Sequence, residues 1–282
     1  MVDDQLRRRS VGSPAARSLL LTVLGEYVLP RNDGVWQETL VAALESLGYT
    51  QHAARQALSR STRDGWLQTE RHGRRARVTL SDHTSRLLSA GAHRIYSFAE
   101  PWNWDGRWLL VVLRVPEESR AVRHQLRSRL AWAGLGSLGG GLWLTPHVER
   151  EEELAAAIAD EPAAEARSFV AEFGAMGNPA QLVRDAWDLE QVSEQYRAFI
   201  DDFSRVRPAS PVACFRQQTL LVHAWRRFPF LDPDLPAALL PRDWPRERAH
   251  RLFADRHGRW HPGARAYFEQ LELSLEAVSR AA

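Results

Sequence analysis

Between residues 50 and 80 a short helix sorts its side chains by charge and runs into an arginine-rich hairpin. This stretch limits the folds open to the chain more than any other. At about 100° per residue, Gln51, His52, Arg55, Gln56, Ser59, Arg60 and Arg63 share one half of the helical wheel. Ala53, Ala54, Ala57, Leu58 and Ser61 share the other half. The small apolar face suits close packing, and the outer face holds groups that donate to phosphates and base edges. Trp66-Leu67-Gln68-Thr69 and Ala76-Arg77-Val78-Thr79-Leu80 then alternate like strands, joined through His72-Gly73-Arg74-Arg75. Helix, helix, polar helix, hairpin is the layout of a winged helix-turn-helix and points to DNA.

The preceding residues supply the first two helices. Ser13-Pro14 has the form of a helix start, with serine as cap and proline in the first turn. Leu19 to Leu24, with Tyr27 and Val28, are apolar nearly all round, which predicts a central helix. A second helix is predicted over about Val35 to Leu47, with Trp36, Leu40, Leu44 and Leu47 on one stripe. Gly48 ends it, and Thr50 caps the polar helix. Major-groove entry needs an exposed helix with short polar and forked side chains, and Gln51, Arg55, Gln56 and Ser59 meet that need. Arg74, Arg75 and Arg77 on the wing are expected to reach phosphates or an adjacent minor groove.

Composition narrows the alternatives. The 282 residues allow two or three domains, and 44% hydrophobic content argues against wholesale disorder. No run approaches the ~20 apolar residues of a membrane span, and Asp3 to Arg9 lack the apolar core of a signal peptide. The single cysteine, Cys214, excludes an internal disulfide framework and fits a reducing cytoplasm. Net charge is only +2, yet residues 50–80 hold seven arginines against Asp64 and Glu70. All 37 basic residues are arginine, whose fork suits bidentate contacts to phosphate or guanine.

Ser81 to Ser97 reads as a connecting helix. Trp108 to Val115 is an apolar run bounded by Gly106 and Pro116, as in a buried strand. Glu117 to Ala133 is amphipathic, short strands follow near Leu135-Ser137 and Leu142-Thr145, then a helix over Glu149 to Ile158 and a strand over Ser168 to Phe173. The order β-α-β-β-α-β is that of a ferredoxin-like domain. Gly134-Leu135-Gly136-Ser137-Leu138-Gly139 spells G-x-G-x-x-G, but a helix precedes it and a strand follows, the reverse of a dinucleotide fingerprint. Glycines at a hairpin between close-packed elements account for it better.

The last third reads as all-helical: one long helix over Gln181 to Val206, another over Val212 to Phe228, a proline-rich loop to Pro245, then two shorter helices near Arg246 to His257 and Pro262 to Val278. His250, His257 and His261 lie close in sequence, and His223 could join them. No carboxylate–histidine spacing supports a metal site, so no metal is expected.

Leu21-Thr22-Val23-Leu24-Gly25-Glu26-Tyr27-Val28, Val35-Trp36, Ala54-Arg55-Gln56-Ala57-Leu58-Ser59-Arg60, Asp64-Gly65-Trp66-Leu67 and Gly73-Arg74-Arg75 together resemble the PaaX family, the phenylacetate-degradation repressors. The resemblance continues through Arg94-Ile95-Tyr96. It extends to Leu221-Val222-His223-Ala224-Trp225-Arg226-Arg227, Leu231-Asp232-Pro233-Asp234-Leu235-Pro236 and Leu239-Leu240-Pro241-Arg242-Asp243-Trp244-Pro245, and covers most of the chain. It implies a dimeric transcriptional repressor released from its operator by an aryl-CoA thioester such as phenylacetyl-CoA. The middle domain is similar to that of the family, which itself resembles the Cas2 nucleases. Metal-dependent cleavage would want a carboxylate at the end of the first strand, and that strand ends Leu113-Arg114-Val115. Dimerisation is the expected role there. Gln56-Ala57 departs from the serine or threonine and valine usual in the family, which puts base preference and regulon in doubt.

A CoA thioester needs an apolar slot for the acyl group and cations for its phosphates. Trp102, Trp104, Trp143 and Trp244 offer aromatic surface, and Arg226 and Arg227 beside His223 offer charge. The same residues equally suit core filling and a helix C-cap. The expectation is therefore an α+β chain of three domains. Residues 1–80 form a winged helix-turn-helix, 81–97 a connecting helix, 98–178 a ferredoxin-like dimerisation domain and 179–282 a helical domain with a candidate effector site. Its expected partners are a double-stranded operator, a second copy of itself and an acyl-CoA, with no resident cofactor and no membrane. It is expected in the cytoplasm, at the nucleoid. No serine–histidine–acid or metal-ligand spacing supports the rival reading of a nuclease or acyl-CoA hydrolase, so no enzyme is expected.

Overall fold

The computed structural model describes residues 14–31, 33–98, 102–161 and 164–280, with side chains as far as 275. Ser13 and the segment from Asp3 to Arg9 lie outside the described residues. The chain divides into two compact units: Met1–Ser97 with Phe199–Arg227 and His250–Ala282, and Phe98–Ala198 with Phe228–Ala249. The segment 179–282, expected as one helical domain, contributes to both.

In the first unit, α1 (Ala16–Val23) passes into a π-helical turn over Leu24–Val28, closed by the Leu29 N–H on the Leu24 carbonyl at 2.8 Å. β1 (Val35–Trp36), α2 (Gln37–Ser46), α3 (Gln51–Arg63), β2 (Leu67–His72), β3 (Arg75–Leu80) and α4 (Asp82–Tyr96) follow. The antiparallel sheet has the order β1-β3-β2, with Val35 opposite Val78 and Leu67 opposite Leu80. This is the winged-helix arrangement. It corrects the expected second helix at one end: Val35 and Trp36 pair with β3, and helix begins at Gln37. Leu19, Leu20, Leu24, Leu40, Leu44, Ala54, Leu58 and Val78 are buried in one cluster, which Phe215, Ala264 and Phe268 from the C-terminal third complete. Each buried leucine, valine or phenylalanine among them contributes roughly 1.5–3 kcal/mol over its exposed state.

The second unit holds β4 (Arg107–Arg114), α5 (Arg120–Trp132), β5 (Gly136–Gly139), β6 (Leu142–Thr145), α6 (Glu151–Ala159) and β7 (Glu165–Glu172). The antiparallel sheet has the order β5-β6-β4-β7, the ferredoxin-like topology, with Leu109, Val111 and Leu113 packed on Leu126 and Leu130 of α5 and on Leu154 and Ile158 of α6. Gly134 (φ +86°) ends α5, and a Cβ at Gly136 would lie 2.6 Å from the Trp187 ring. The glycine motif therefore serves close packing.

The C-terminal helices are α7 (Pro179–Ala186), α8 (Leu189–Ser204), α9 (Pro211–Trp225), the short α10 (Phe228–Leu231) and α11 (Arg246–Arg280). Two expectations are corrected here. The single helix over 181–206 breaks at Trp187, whose backbone is extended and whose indole N–H reaches the Gly134 carbonyl at 3.1 Å. The two terminal helices are one, continuous through Pro262. Phe253, Trp260, Ala264 and Phe268 are buried along it, and this stripe offsets the hydrogen bond that proline removes.

Candidate nucleic-acid interface

Helix α3 forms where the sequence places it because both ends are specified. The Thr50 hydroxyl accepts the Ala53 N–H at 3.2 Å, satisfying one of the orphan donors of the first turn. At the other end Asp64 caps the helix and Gly65, at φ +73°, turns the chain away. Ala54, Ala57, Leu58 and Ser61 are buried. Gln51, His52, Arg55, Gln56, Ser59, Arg60 and Arg63 are all exposed. The structure thus brings the seven expected helix residues onto one solvent-facing surface. Gln56 and His52, one turn apart, approach at 2.9 Å between their side-chain nitrogens. Behind the helix, Arg17 pairs with Asp64 at 2.5 Å and lies over the Trp66 ring at 4.0 Å.

The three wing arginines separate. Arg74 sits exposed at the tip of the hairpin. Arg75 is half-buried: its guanidinium lies 4.4 Å over the Trp36 ring, donates to the Leu275 carbonyl and stands 3.8 Å from Glu38. Arg77 donates to the Gly34 carbonyl at 3.0 Å and faces the buried Glu272 carboxylate at 3.6 Å. The expectation that all three reach out from the wing is corrected for Arg75 and Arg77, whose guanidinium groups are partly buried and each donate through one nitrogen to a carbonyl of their own unit. Arg71 is exposed on β2 and was not among the expected contacts. Its position two residues before the Gly73 turn, in an alternating strand, is the signal that could have found it.

The residues expected around an effector divide between the two units. His223, Arg226 and Arg227 belong to the first unit, and Trp102, Trp104, Trp143 and Trp244 to the second. Arg226 is buried at the C-cap of α9 and donates to the Ser18 carbonyl and hydroxyl at 3.1 and 3.0 Å. Burial, with Arg227 beside it, pushes the Arg226 guanidinium down to about 10. His223 Nδ1 meets the Thr22 hydroxyl at 3.1 Å. Burial first, then the Arg226 and Arg227 charges, depress this imidazole to about 3, so it is neutral at ordinary pH. Trp143 is buried under the sheet, Trp104 stands edge-on to Trp108 and Trp102 lies against His147. Trp244 lines a cleft of about 920 Å³ with Trp187, Leu189, Leu239 and Ser193.

His257 stacks on His261 and faces the buried Glu26 carboxylate at 3.4 Å, and His250 packs on Trp225. Burial works against the charge on Glu26, but hydrogen bonds from His257 and Tyr96 outweigh it and hold this carboxyl below its usual value. Among the described residues no group of three or more His, Cys, Asp or Glu is placed to hold a metal ion. Nor, among them, is any helix long and apolar enough to cross a membrane.

Known families match this chain in three consecutive stretches between residues 15 and 270. Residues 15–84 match the PaaX-like protein family, 101–183 the PaaX protein central Cas2-like domain and 187–270 the PaaX-like protein C-terminal domain. The chain is 30% identical over 268 residues to the transcriptional repressor PaaX of Escherichia coli (strain K12), covering 90% of this chain and 83% of that protein. Its fold resembles that of the uncharacterized protein Rv0674 from Mycobacterium tuberculosis, with a TM-score of 0.62, 23% identity, and 90% and 99% of the two chains covered. With matches to all three component domains, in order, the chain belongs to the PaaX-like family.

Proposed function

We propose that this protein is a DNA-binding transcriptional repressor that holds an operator as a homodimer and is released by an aryl- or acyl-CoA such as phenylacetyl-CoA. The observation that carries the reading is the exposed face of α3. Seven donors on a capped helix, backed by a small-residue face and flanked by the exposed Arg71 and Arg74, have the form of a recognition helix with a cationic rim. The relative named as a repressor adds support from outside the geometry. Release requires that the ligand bind the two states of the dimer unequally.

In vitro selection from a random duplex pool tests the reading. An enriched, two-fold-related motif that footprints on the protein, and whose complex dissociates on addition of phenylacetyl-CoA, is expected. Binding that does not discriminate among duplexes would reject sequence-specific recognition. A specific complex indifferent to acyl-CoA would reject the effector alone.

A further inference from the structure

At the end of β4 the second unit carries a cleft of about 730 Å³ that the repressor reading does not use. Leu113, Val115 and Trp143 form its apolar floor, and Arg114, Arg123 and Arg127 stand along it. Its far wall is the turn between β5 and β6, where Gly140 and Gly141 have φ of +58° and +85°, the two-residue type I′ geometry. A Cβ at Gly141 would lie 2.2 Å from the Leu113 carbonyl oxygen, so glycine there lets the turn close against the strand. At Gly139 and Gly140 a Cβ would meet nothing within 4 Å, so this wall is bare backbone facing open space.

The charge arrangement asks for a partner. Helix α5 contains four arginines and no acidic residue. Arg123 and Arg127 are one turn apart, a like-charge spacing that destabilises a helix. Among the described residues no carboxylate pairs with Arg114, Arg123 or Arg127, although Glu165 stands opposite Arg114 in the sheet register and Glu117 lies on the rim. Arg123 is held in place through one nitrogen, Nη2, which donates to the Pro116 carbonyl at 2.9 Å and the Val115 carbonyl at 3.5 Å. That anchoring leaves Nε and Nη1 for an incoming group, in the fixed fork that suits a phosphate.

We propose that this cleft binds a nucleoside carrying a phosphate ester, with Arg114, Arg123 and Arg127 on the phosphates and the apolar floor under the nucleoside. The volume lies within the usual range for small-ligand sites and is far larger than inorganic phosphate needs. The same chemistry could arrive as a free nucleotide or as the nucleotide end of CoA.

Titration calorimetry at low salt, with ADP, adenosine 3′,5′-bisphosphate, CoA, adenosine and inorganic phosphate, tests the site. ADP or the bisphosphate should saturate one site per chain. Adenosine and phosphate should bind at least about tenfold more weakly, because each supplies only half of the contacts. Arg127→Ala, exposed and therefore expected to melt like the parent, should weaken nucleotide binding about tenfold, and Arg114→Ala similarly. CoA binding as tightly as the bisphosphate identifies the CoA end as the source, and exclusion of CoA identifies free nucleotides. No saturable binding of ADP, bisphosphate or CoA overturns the proposal. So does binding indifferent to both substitutions, or binding of a single-stranded oligonucleotide but of no mononucleotide. Duplex affinity measured on the same preparations reports on α3 separately, so failure of one reading leaves the other standing.

Discussion

Glu272 caps helix α2 through the backbone of Trp36: its two carboxylate oxygens lie 3.1 and 3.2 Å from that amide nitrogen. Trp36 is the N-cap position of α2, so a negative charge from the C-terminal third sits on the positive end of the helix preceding α3. The Thr39 hydroxyl donates to the same carboxylate at 2.5 Å, and Arg77 faces it at 3.6 Å. Removing it leaves the buried Trp36 N–H and Thr39 hydroxyl without this acceptor and takes one carboxylate from Arg77, which keeps the Gly34 carbonyl and Asp33. Glu272→Ala should therefore lower the unfolding free energy by about 3–5 kcal/mol, and Glu272→Gln by less, since its amide oxygen can still accept. Urea unfolding measures both, and an alanine variant as stable as the parent would show that the cap contributes nothing.

Arg55 projects from the first half of α3 into solvent. Arg55→Ala should cost about 1–3 kcal/mol of affinity for the selected duplex and relax preference at one base position. Anisotropy titrations against the selected motif and its single-base variants check this. Equal losses on every sequence would move Arg55 from base reading to the phosphate backbone.

Arg74 and Arg75 are adjacent in sequence but should behave differently. Arg74→Ala should weaken all duplexes alike and reduce the slope of log affinity against log salt by about 0.9. Arg75→Ala should instead lower the melting temperature, because its guanidinium is spent on Trp36 and the Leu275 carbonyl. Finding the salt-slope change in the Arg75 variant and not in the Arg74 variant would reverse this assignment of the wing.

His223 gives the fold a one-sided response to acid. Its imidazole titrates near 3 in the folded chain against an ordinary value of 6.5. Between those values the unfolded chain binds the proton and the folded chain does not. The stability difference is thus absent above pH 6.5 and grows as pH falls, reaching about 2 kcal/mol at pH 5. His223→Gln cannot titrate and can still meet the Thr22 hydroxyl, so its denaturation midpoint should fall less than the parent's between pH 7 and 5. Parallel pH curves for the two proteins would rule out His223 as the source.

The polar face of α3 was legible because one residue type, arginine, separates cleanly from alanine around a 13-residue wheel. The first strand of the ferredoxin-like domain was legible because Trp108 to Val115 is an apolar run between Gly106 and Pro116. What local pattern could not show were contacts made across long sequence separations. Val35-Trp36 has a helical period but joins the sheet, since Val78 and Arg77 lie opposite it. The helix expected over 181–206 breaks at Trp187, whose backbone is extended and whose ring packs where a Cβ at Gly136 would lie 2.6 Å away. Pro262 predicts a break, but the buried stripe on either side of it holds α11 together. Close approach also explains Gly263, where a Cβ would come within 3.1–3.2 Å of the Cys214 side chain on α9. At the interface the sequence showed which residues are polar. It could not show that Glu272 and Leu275, some 200 positions downstream, occupy two of the three wing arginines.

The π-helical turn at Leu24–Val28 makes the phase of the first helix depend on a single residue. Its wide winding places Tyr27 in the core and Glu26 against Tyr96 and His257. Inserting one residue beside Gly25, whose neighbourhood has room for a side chain, exceeds the one extra residue that the wide turn already absorbs and would rotate everything on one side of it by about 100°. The aromatic ring and the carboxylate would trade an interior address for a wet one. Length, at this position, is as strictly encoded as chemistry.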